Sequence, residues 1–366
     1  MADSNPLKRI FDLYTSDLTI DEIEKLVKRE SAAAYEFYKN QIPQPDLTKN
    51  KFIRSLIFIR SIFNAFLLKL SAARRIFYLV ALLIFLIGIL NGIDSYIIFS
   101  FLIINVLLAF ELADKLTMKD ELDLARKIQN GLMPQNPPLN EFYEISTYYE
   151  SAREVGGDYF DFIESSGNSG KSTYIIIGDI SGKGMAAALY MVRVQAIIQF
   201  LIKHFKGLTE IITNLKNYFI QNLRREYFLT LLIALIKENG DINFCRAGHM
   251  PLLHYKQDSQ TFDTLNPSGI GIGLNDKGIF EKTLTELEFS PQKDDILLCF
   301  TDGVVETMNS NKVQFGEEKL KKLIIDNSDK SVNEIRGIIV SNLIKFRGDV
   351  SQQDDSTFIL LKCKKS

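Results

Sequence analysis

Cysteine and histidine are scarce in this chain, and a net charge is nearly absent. The three cysteines, Cys245, Cys299 and Cys363, are odd in number, unevenly spaced and form no CxxC pair, which argues against a disulfide framework and against a thiolate zinc site. A reducing compartment is the simpler reading. With only His204, His249 and His254 available, an imidazole-rich metal centre is also excluded, so any metal is held by oxygen ligands, which points to Mg²⁺ or Mn²⁺. Lys and Arg total 43 against 45 Asp and Glu, and a formal charge of -2 gives no global field for nucleic acid, which is not expected as a partner. No basic start followed by an apolar core marks a signal peptide, and there is no internal repeat or low-complexity tract. What is present is a chain of 366 residues, 46% apolar and 24% charged, enough for one large domain and an accessory region.

The pattern divides the chain at 1–73, 74–111, 112–134 and 135–366. The first segment predicts a helix over 21–38, with Asp17 or Thr19 as cap, and a breaker with two prolines at 42–47. From Lys49 to Arg75 every charge is basic, and Phe52, Ile53, Leu56, Ile57, Phe63, Phe66 and Leu67 are interleaved with those charges. This reads as a basic amphipathic helix on an anionic lipid surface, with an ordinary solvated helix face as the plainer alternative. Two almost uncharged runs follow at 76–93 and 95–110, separated at Asn91, Gly92 and Asp94. Each is near the lower limit of about 17 residues for a membrane span. Their apolar residues surround the helical circumference without a polar stripe, which favours a transmembrane hairpin over a buried soluble one. Basic residues before the first run place both chain ends on the cytoplasmic side of a cytoplasmic (inner) membrane, in a multi-pass arrangement. The charged segment 112–134 predicts a helix that stops at Pro134. Leu112, Leu116, Leu122, Ala125, Ile128 and Leu132 approximate an apolar seam, suited to a homodimer through this linker, to packing on the next domain, or to a passive spacer.

Beyond Pro137 strands are predicted at 145–149, 158–163, 174–180, 228–236, 242–246, 296–300 and 357–361, with helices at 185–205, 208–225, 317–325 and 332–346. Runs of strands on either side of two central helices suggest α+β layering more than a strict βαβ repeat.

Acidic residues recur at the edges of apolar strands beside glycine or another breaker: Asp158 in VGGDYFDF, Asp179 in IIIGDISGKG, Asp302 in LLCFTDGVVE, and the pair Asp354 and Asp355 in QQDDSTFIL. A single such aspartate is ordinarily a turn residue. Carboxylates that converge at one sheet edge cannot all stay ionised without cations. Two divalent metals would offset the repulsion, lower the pKa of a bridging water and clamp a phosphoryl oxygen, which is phosphate-ester hydrolysis without a protein nucleophile. Two other motif readings fail. IGDISGKG has too few residues between Gly178 and Lys183 for a P-loop and ends in Gly184 where Ser or Thr is required. GGDYF has Tyr159 in place of the second acid of a cyclic-dinucleotide synthase loop.

In order, ARKIQNGLMP, VGGDYFDF, IGDISGKGMAAAL, RAGHMPLL, GIGIGL, FTDGVVETMN, FGEEKL and DDSTFILL resemble the bacterial branch of the PPM metal-dependent protein phosphatases, the stage II sporulation protein E type, over about 124–362. The resemblance implies a β-sandwich of two antiparallel sheets flanked by helices, with two Mn²⁺ or Mg²⁺ ions at one edge. By motif position Asp179 resembles the carboxylate bridging both metals, helped by the carbonyl of Ile180 or of Ser181. Asp158 is similar to the acid serving the second metal, and Asp302 with Asp354 or Asp355 to those serving the first; Asp179 and Asp302 carry the catalytic assignment. Asp161, Glu306 and Arg153 are secondary candidates, and His249 reads as a structural histidine after a tight turn. The chain departs from the family at Arg246, where Asn usually precedes Ala-Gly-His. The resemblance also implies phosphoserine or phosphothreonine phosphatase activity on a phosphorylated STAS-type anti-sigma-factor antagonist. Membrane lipid is the other expected partner. The rival is a membrane-tethered scaffold that binds its phosphoprotein without hydrolysing it, against which stands the retention of every expected acid; a small phosphorylated metabolite is a third substrate class.

Overall fold

The computed structural model describes residues 50–167, 170–222, 224, 226–274 and 278–365; the helix expected at 21–38 and the breaker at 42–47 lie outside them. The chain divides into two compact units near Thr117.

In the first unit, α1 (Lys51–Lys69) and α2 (Ala72–Asn91) are followed by α3 (Asp94–Leu132), whose C-terminal part belongs to the second unit. The break at Ser71 is held by the Arg75 guanidinium, which donates to the carbonyls of Leu67 at 2.8 Å and Leu70 at 3.3 Å, reinforcing the C-terminal end of α1. The turn expected at Asn91–Asp94 is a Schellman motif: the Ile93 N–H reaches the Gly88 carbonyl and the Gly92 N–H that of Ile89, with Gly92 at φ 64°. At the opposite end of the hairpin Arg74 pairs with Glu111 at 2.9 Å and Asp114 at 2.7 Å. Both hairpin helices are long and apolar enough to cross a membrane, at mean hydropathy 2.2. A third helix, α4 (Met185–His204), also meets that composition, but 44% of its apolar window is buried, against 11% and 6% for α2 and α3. It spends its apolar residues Met191, Val194, Ile198 and Leu201 on the protein core.

The second unit is built on two antiparallel five-stranded sheets. One has the order β1 (Tyr143–Glu150), β10 (Ser356–Cys363), β9 (Ile296–Phe300), β6 (Leu252–Lys256), β7 (Thr261–Leu265). The other runs β2 (Asp158–Gly167), β3 (Gly170–Ile180), β4 (Leu229–Ile236), β5 (Ile242–Ala247), β8 (Glu286–Phe289). The central strands read as unbroken apolar runs because both their faces are covered. In β10, Ile359, Leu361 and Cys363 join Leu297 and Cys299 of β9 in a core shared with β2 to β5. The alternate residues Phe358, Leu360, Ile296, Leu298 and Phe300 pack instead with α8 (Glu317–Ile325) and α9 (Val332–Arg347). The register Ile359↔Cys299 and Leu360↔Leu298 keeps each set on one face. On the far side α4 and α5 (Leu208–Asn222) bury Met191, Ile198, Ile211 and Leu215 in the shared core. The remaining helices are short, α6 (Phe280–Thr283) and α7 (Asp302–Glu306). Strands β6, β7 and β8 were not expected. The expected two-sheet α+β sandwich flanked by helices is what forms.

Candidate active site

Asp158 opens β2 and Asp179 is the penultimate residue of β3, and the two are cross-strand partners in register. The backbone before Asp158 is pressed against its surroundings. A Cβ at Gly156 would stand 2.5 Å from Asp355 Oδ2, and one at Gly157 would stand 2.7 Å from the Ile180 carbonyl oxygen and 3.3 Å from Asp179 Oδ1. Two glycines are therefore a steric requirement of this loop, and the Ile180 carbonyl lies beside it.

The other sheet delivers the remaining acids. Asp302 follows β9 and starts α7, while Asp354 and Asp355 precede β10. Strands β9 and β10 are tied at this end by the Thr301 N–H donating to the Thr357 carbonyl and the Thr357 N–H donating to Thr301 Oγ1. Both threonine hydroxyls donate to Asp158 Oδ2, Thr301 at 2.9 Å. Asp158, only 2% exposed, thus bolts one sheet to the other. Asp355 has both oxygens engaged with backbone: Oδ1 accepts from Ala152 N–H at 2.8 Å and Oδ2 from Gly157 N–H at 2.6 Å. Asp354 is open by comparison. Its Oδ2 pairs with Lys183 Nζ at 2.7 Å, and it lines a small cavity of about 110 Å³ with Lys183, Glu306, Arg347 and Gln352.

The electrostatics follow from crowding acids into a dry edge. Burial first, then Asp302, Asp354 and Asp355, push the Asp179 carboxyl up to about 7. Asp158 is held well above the usual range by burial and by Asp179. Asp302, Asp355 and Glu306 are also raised, each mainly by burial. Lys183 acts against this on Asp179 and Asp302. An all-carboxylate and carbonyl donor set suits a hard divalent cation. As placed, no three acidic, histidine or cysteine side chains among the described residues group closely enough to hold an ion, so the fit is one of donor chemistry and charge.

Asp161 lies apart from this cluster, accepting from the Tyr159 hydroxyl, the Phe162 N–H and Gln199. Arg153 is exposed with its guanidinium beside Gly184. His249 is buried, bonded through Nδ1 to Thr230 Oγ1 at 2.9 Å, and is pushed down to about 3 by burial and then by Arg246. Arg246 braces the Ala-Gly-His turn by donating to the carbonyls of His249 and Pro267. The residues that sequence reasoning missed are Thr301, Thr357 and Gln129. The threonines adjoin acidic motifs, but nothing local reveals that their hydroxyls meet on Asp158.

A family model described as Stage II sporulation protein E (SpoIIE) matches residues 169–364, more than half of the chain. The chain is 28% identical over 248 residues to the phosphoserine phosphatase RsbU of Bacillus subtilis, covering 68% of this chain and 71% of that protein. It is 26% identical over 290 residues to protein IcfG of Synechocystis, of which it spans 43%. Among solved structures, the PP2C domain of SiaA from Pseudomonas aeruginosa superposes with a TM-score of 0.59 at 19% identity, covering 68% of this chain and 98% of that one. The PP2C phosphatase domain of SpoIIE from Bacillus subtilis, with a fragment of its regulatory domain, gives 0.50 at 17% identity, covering 60% and 63%. At those identities the structures speak for the fold alone. With the fold, the ordered motifs and the family match in agreement, this chain belongs to the stage II sporulation protein E family and carries its PP2C-type phosphatase domain.

Proposed function

We propose that the chain is a metal-dependent phosphoserine or phosphothreonine protein phosphatase, held at a membrane by the hairpin of α2 and α3. The observation that carries this reading is the pairing of Asp158 with Asp179 across β2 and β3, with Asp302 and Asp354 brought to the same edge from the other sheet. Asp158, Asp179, Asp302 and Asp354 are the residues we assign to two Mn²⁺ or Mg²⁺ ions, with the Ile180 carbonyl assisting. Asp355, whose oxygens are taken by Ala152 and Gly157, is assigned to positioning. When bound, such ions supply Lewis-acid polarisation of the phosphoryl group and lower the pKa of a water. The chain's own part is to hold the acids in place through Thr301, Thr357 and the glycine loop, and to offer Lys183 and Arg153 as cations toward an incoming phosphate.

The division at 1–73, 74–111, 112–134 and 135–366 stands as part of the same reading, with the catalytic domain on the cytoplasmic side of an inner membrane. Of the seam residues, Leu112, Leu116, Ile128 and Leu132 are exposed along α3, which supports pairing of two copies through the linker. The substrate we assign is a phosphorylated STAS-type protein. The test is full-length protein in lipid vesicles, given a STAS protein phosphorylated on serine, with and without Mn²⁺. Metal-dependent release of inorganic phosphate supports the reading. Stable binding of the phosphoprotein without release supports a tethered scaffold instead, and release from a generic aryl phosphate alone removes the STAS assignment.

A further inference from the structure

The C-terminal turns of α3 face solvent through Arg126, Lys127, Ile128 and Asn130, yet Gln129 among them is only 3% exposed. Its carboxamide is spent entirely on one residue: Nε2 donates to the Gly156 carbonyl at 2.7 Å, and Oε1 accepts the Gly156 N–H at 3.1 Å. The side chain thus stands where a neighbouring strand would, satisfying both backbone groups of a residue in the loop between β1 and β2. Among the described residues no other group bonds to the Gly156 backbone. The next residue, Gly157, donates its N–H to Asp355, and the one after it is Asp158. Two successive glycines have the widest conformational choice of any dipeptide. Gln129 is what limits that choice at Gly156, while Gly157 is held by Asp355 and by the Ile180 N–H, which donates to its carbonyl at 3.3 Å.

The same helix end has a second, separate attachment: Gln195 on α4 donates to the Leu132 carbonyl at 2.7 Å, and Met133 enters the core. That attachment docks the helix but does not touch the glycine loop.

We propose that Gln129 is a positioning residue for the acidic cluster, acting through Gly156 and Gly157 on Asp158 and Asp355, so that the end of α3 is part of the metal-binding apparatus. This rests on the metal-dependent reading given above. The geometry distinguishes it from plain docking, because Gln129 and Gln195 both hold α3 while only Gln129 reaches the loop.

The experiment is Mn²⁺ binding by titration calorimetry on full-length protein in detergent micelles, for wild type, Gln129→Ala, Gln129→Glu and Gln195→Ala, with thermal midpoints and aryl phosphate turnover measured alongside. Gln129→Ala is expected to weaken Mn²⁺ binding about tenfold, as for loss of a group that orients metal ligands, with Gln195→Ala changing it by less than about twofold. Gln129→Glu keeps an acceptor for the Gly156 N–H and loses the donor, so it falls between. Should Gln129→Ala fail to fold, Gln129→Glu against Gln195→Ala decides. Wild-type affinity in a folded Gln129 variant, or equal weakening in Gln195→Ala, overturns the proposal. A wild type that binds Mn²⁺ but turns nothing over removes the phosphatase reading while leaving the comparison of affinities intact, and one that binds no Mn²⁺ removes both.

Discussion

At the scale of single residues, the adjacent acids Asp354 and Asp355 have opposite environments, and this separates their expected roles. Asp355→Asn puts an amide where two backbone N–H groups now find acceptors. One of its positions then faces a donor with a donor, a loss of about 1–3 kcal/mol, seen as a lower thermal midpoint even in chelator. Asp354→Asn removes a half-buried carboxylate that pairs with Lys183 through Oδ2 and accepts the Asp355 N–H through Oδ1, a bond the asparagine oxygen can keep, so metal-activated turnover falls while the midpoint in chelator stays close to wild type. Equal effects of the two substitutions on stability would refute the division of labour. The pH behaviour of metal-free protein follows from the same cluster. Asp179, pushed up to about 7, keeps a proton in the folded state that the unfolded chain has already released. Its contribution is full below the ordinary carboxylate range and is lost as pH rises through about 7. His249, pushed down to about 3, works in the other sense: its contribution is present above the ordinary histidine range and is lost as the medium turns acid. In chelator, the decline of the midpoint on approaching neutral pH therefore shrinks in Asp179→Asn, while the acid-side loss remains. Identical pH profiles for the two proteins would contradict the assignment.

At the scale of elements, local chemistry that repeats along the chain was readable and chemistry that crosses it was not. The capping box of α9 is written in the sequence as Ser331 and Glu334, and both halves of it form. Ser331→Ala is expected to cost about 1 kcal/mol and to lower the domain's thermal midpoint by about 2–4 °C; an unchanged midpoint means the cap contributes nothing. The central strands β3, β4, β9 and β10 were legible because burial on both faces leaves them as apolar runs. Strands β7 and β8 were not: they end their sheets, and TFDTL and ELEF mix exposed and half-buried residues over only five and four positions, too brief a pattern to tell from a polar loop. The five aspartates were legible because each borders an apolar run, Asp179 and Asp302 at its end and Asp158, Asp354 and Asp355 at its start. The pairing of Thr301 and Thr357 on Asp158 was not, since these partners are 143 and 199 residues from it in the chain. The grip of Gln129 on Gly156 was equally hidden, because the helical pattern of ARKIQ shows only an apolar seam with a glutamine beside it.

At the scale of the whole molecule, two kinds of apolar helix coexist. The residues of α4 are spent inside the second unit, whereas α2 and α3 leave theirs exposed. Full-length protein expressed in bacteria is therefore expected in the membrane fraction, resistant to alkaline extraction, and deletion of residues 72–110 is expected to release it. Release of the intact chain by alkali would exclude the spanning hairpin. The central claim is that carboxylates from two sheets make one metal-dependent phosphatase site, and the most direct measurement is hydrolysis of an aryl phosphate by full-length protein as Mn²⁺ is raised from chelator to saturation, compared with Asp179→Asn. The account predicts no turnover in chelator, saturable activation by the metal, and a loss of at least about a hundredfold in the variant. Turnover that ignores the metal, or that survives in Asp179→Asn, would contradict it.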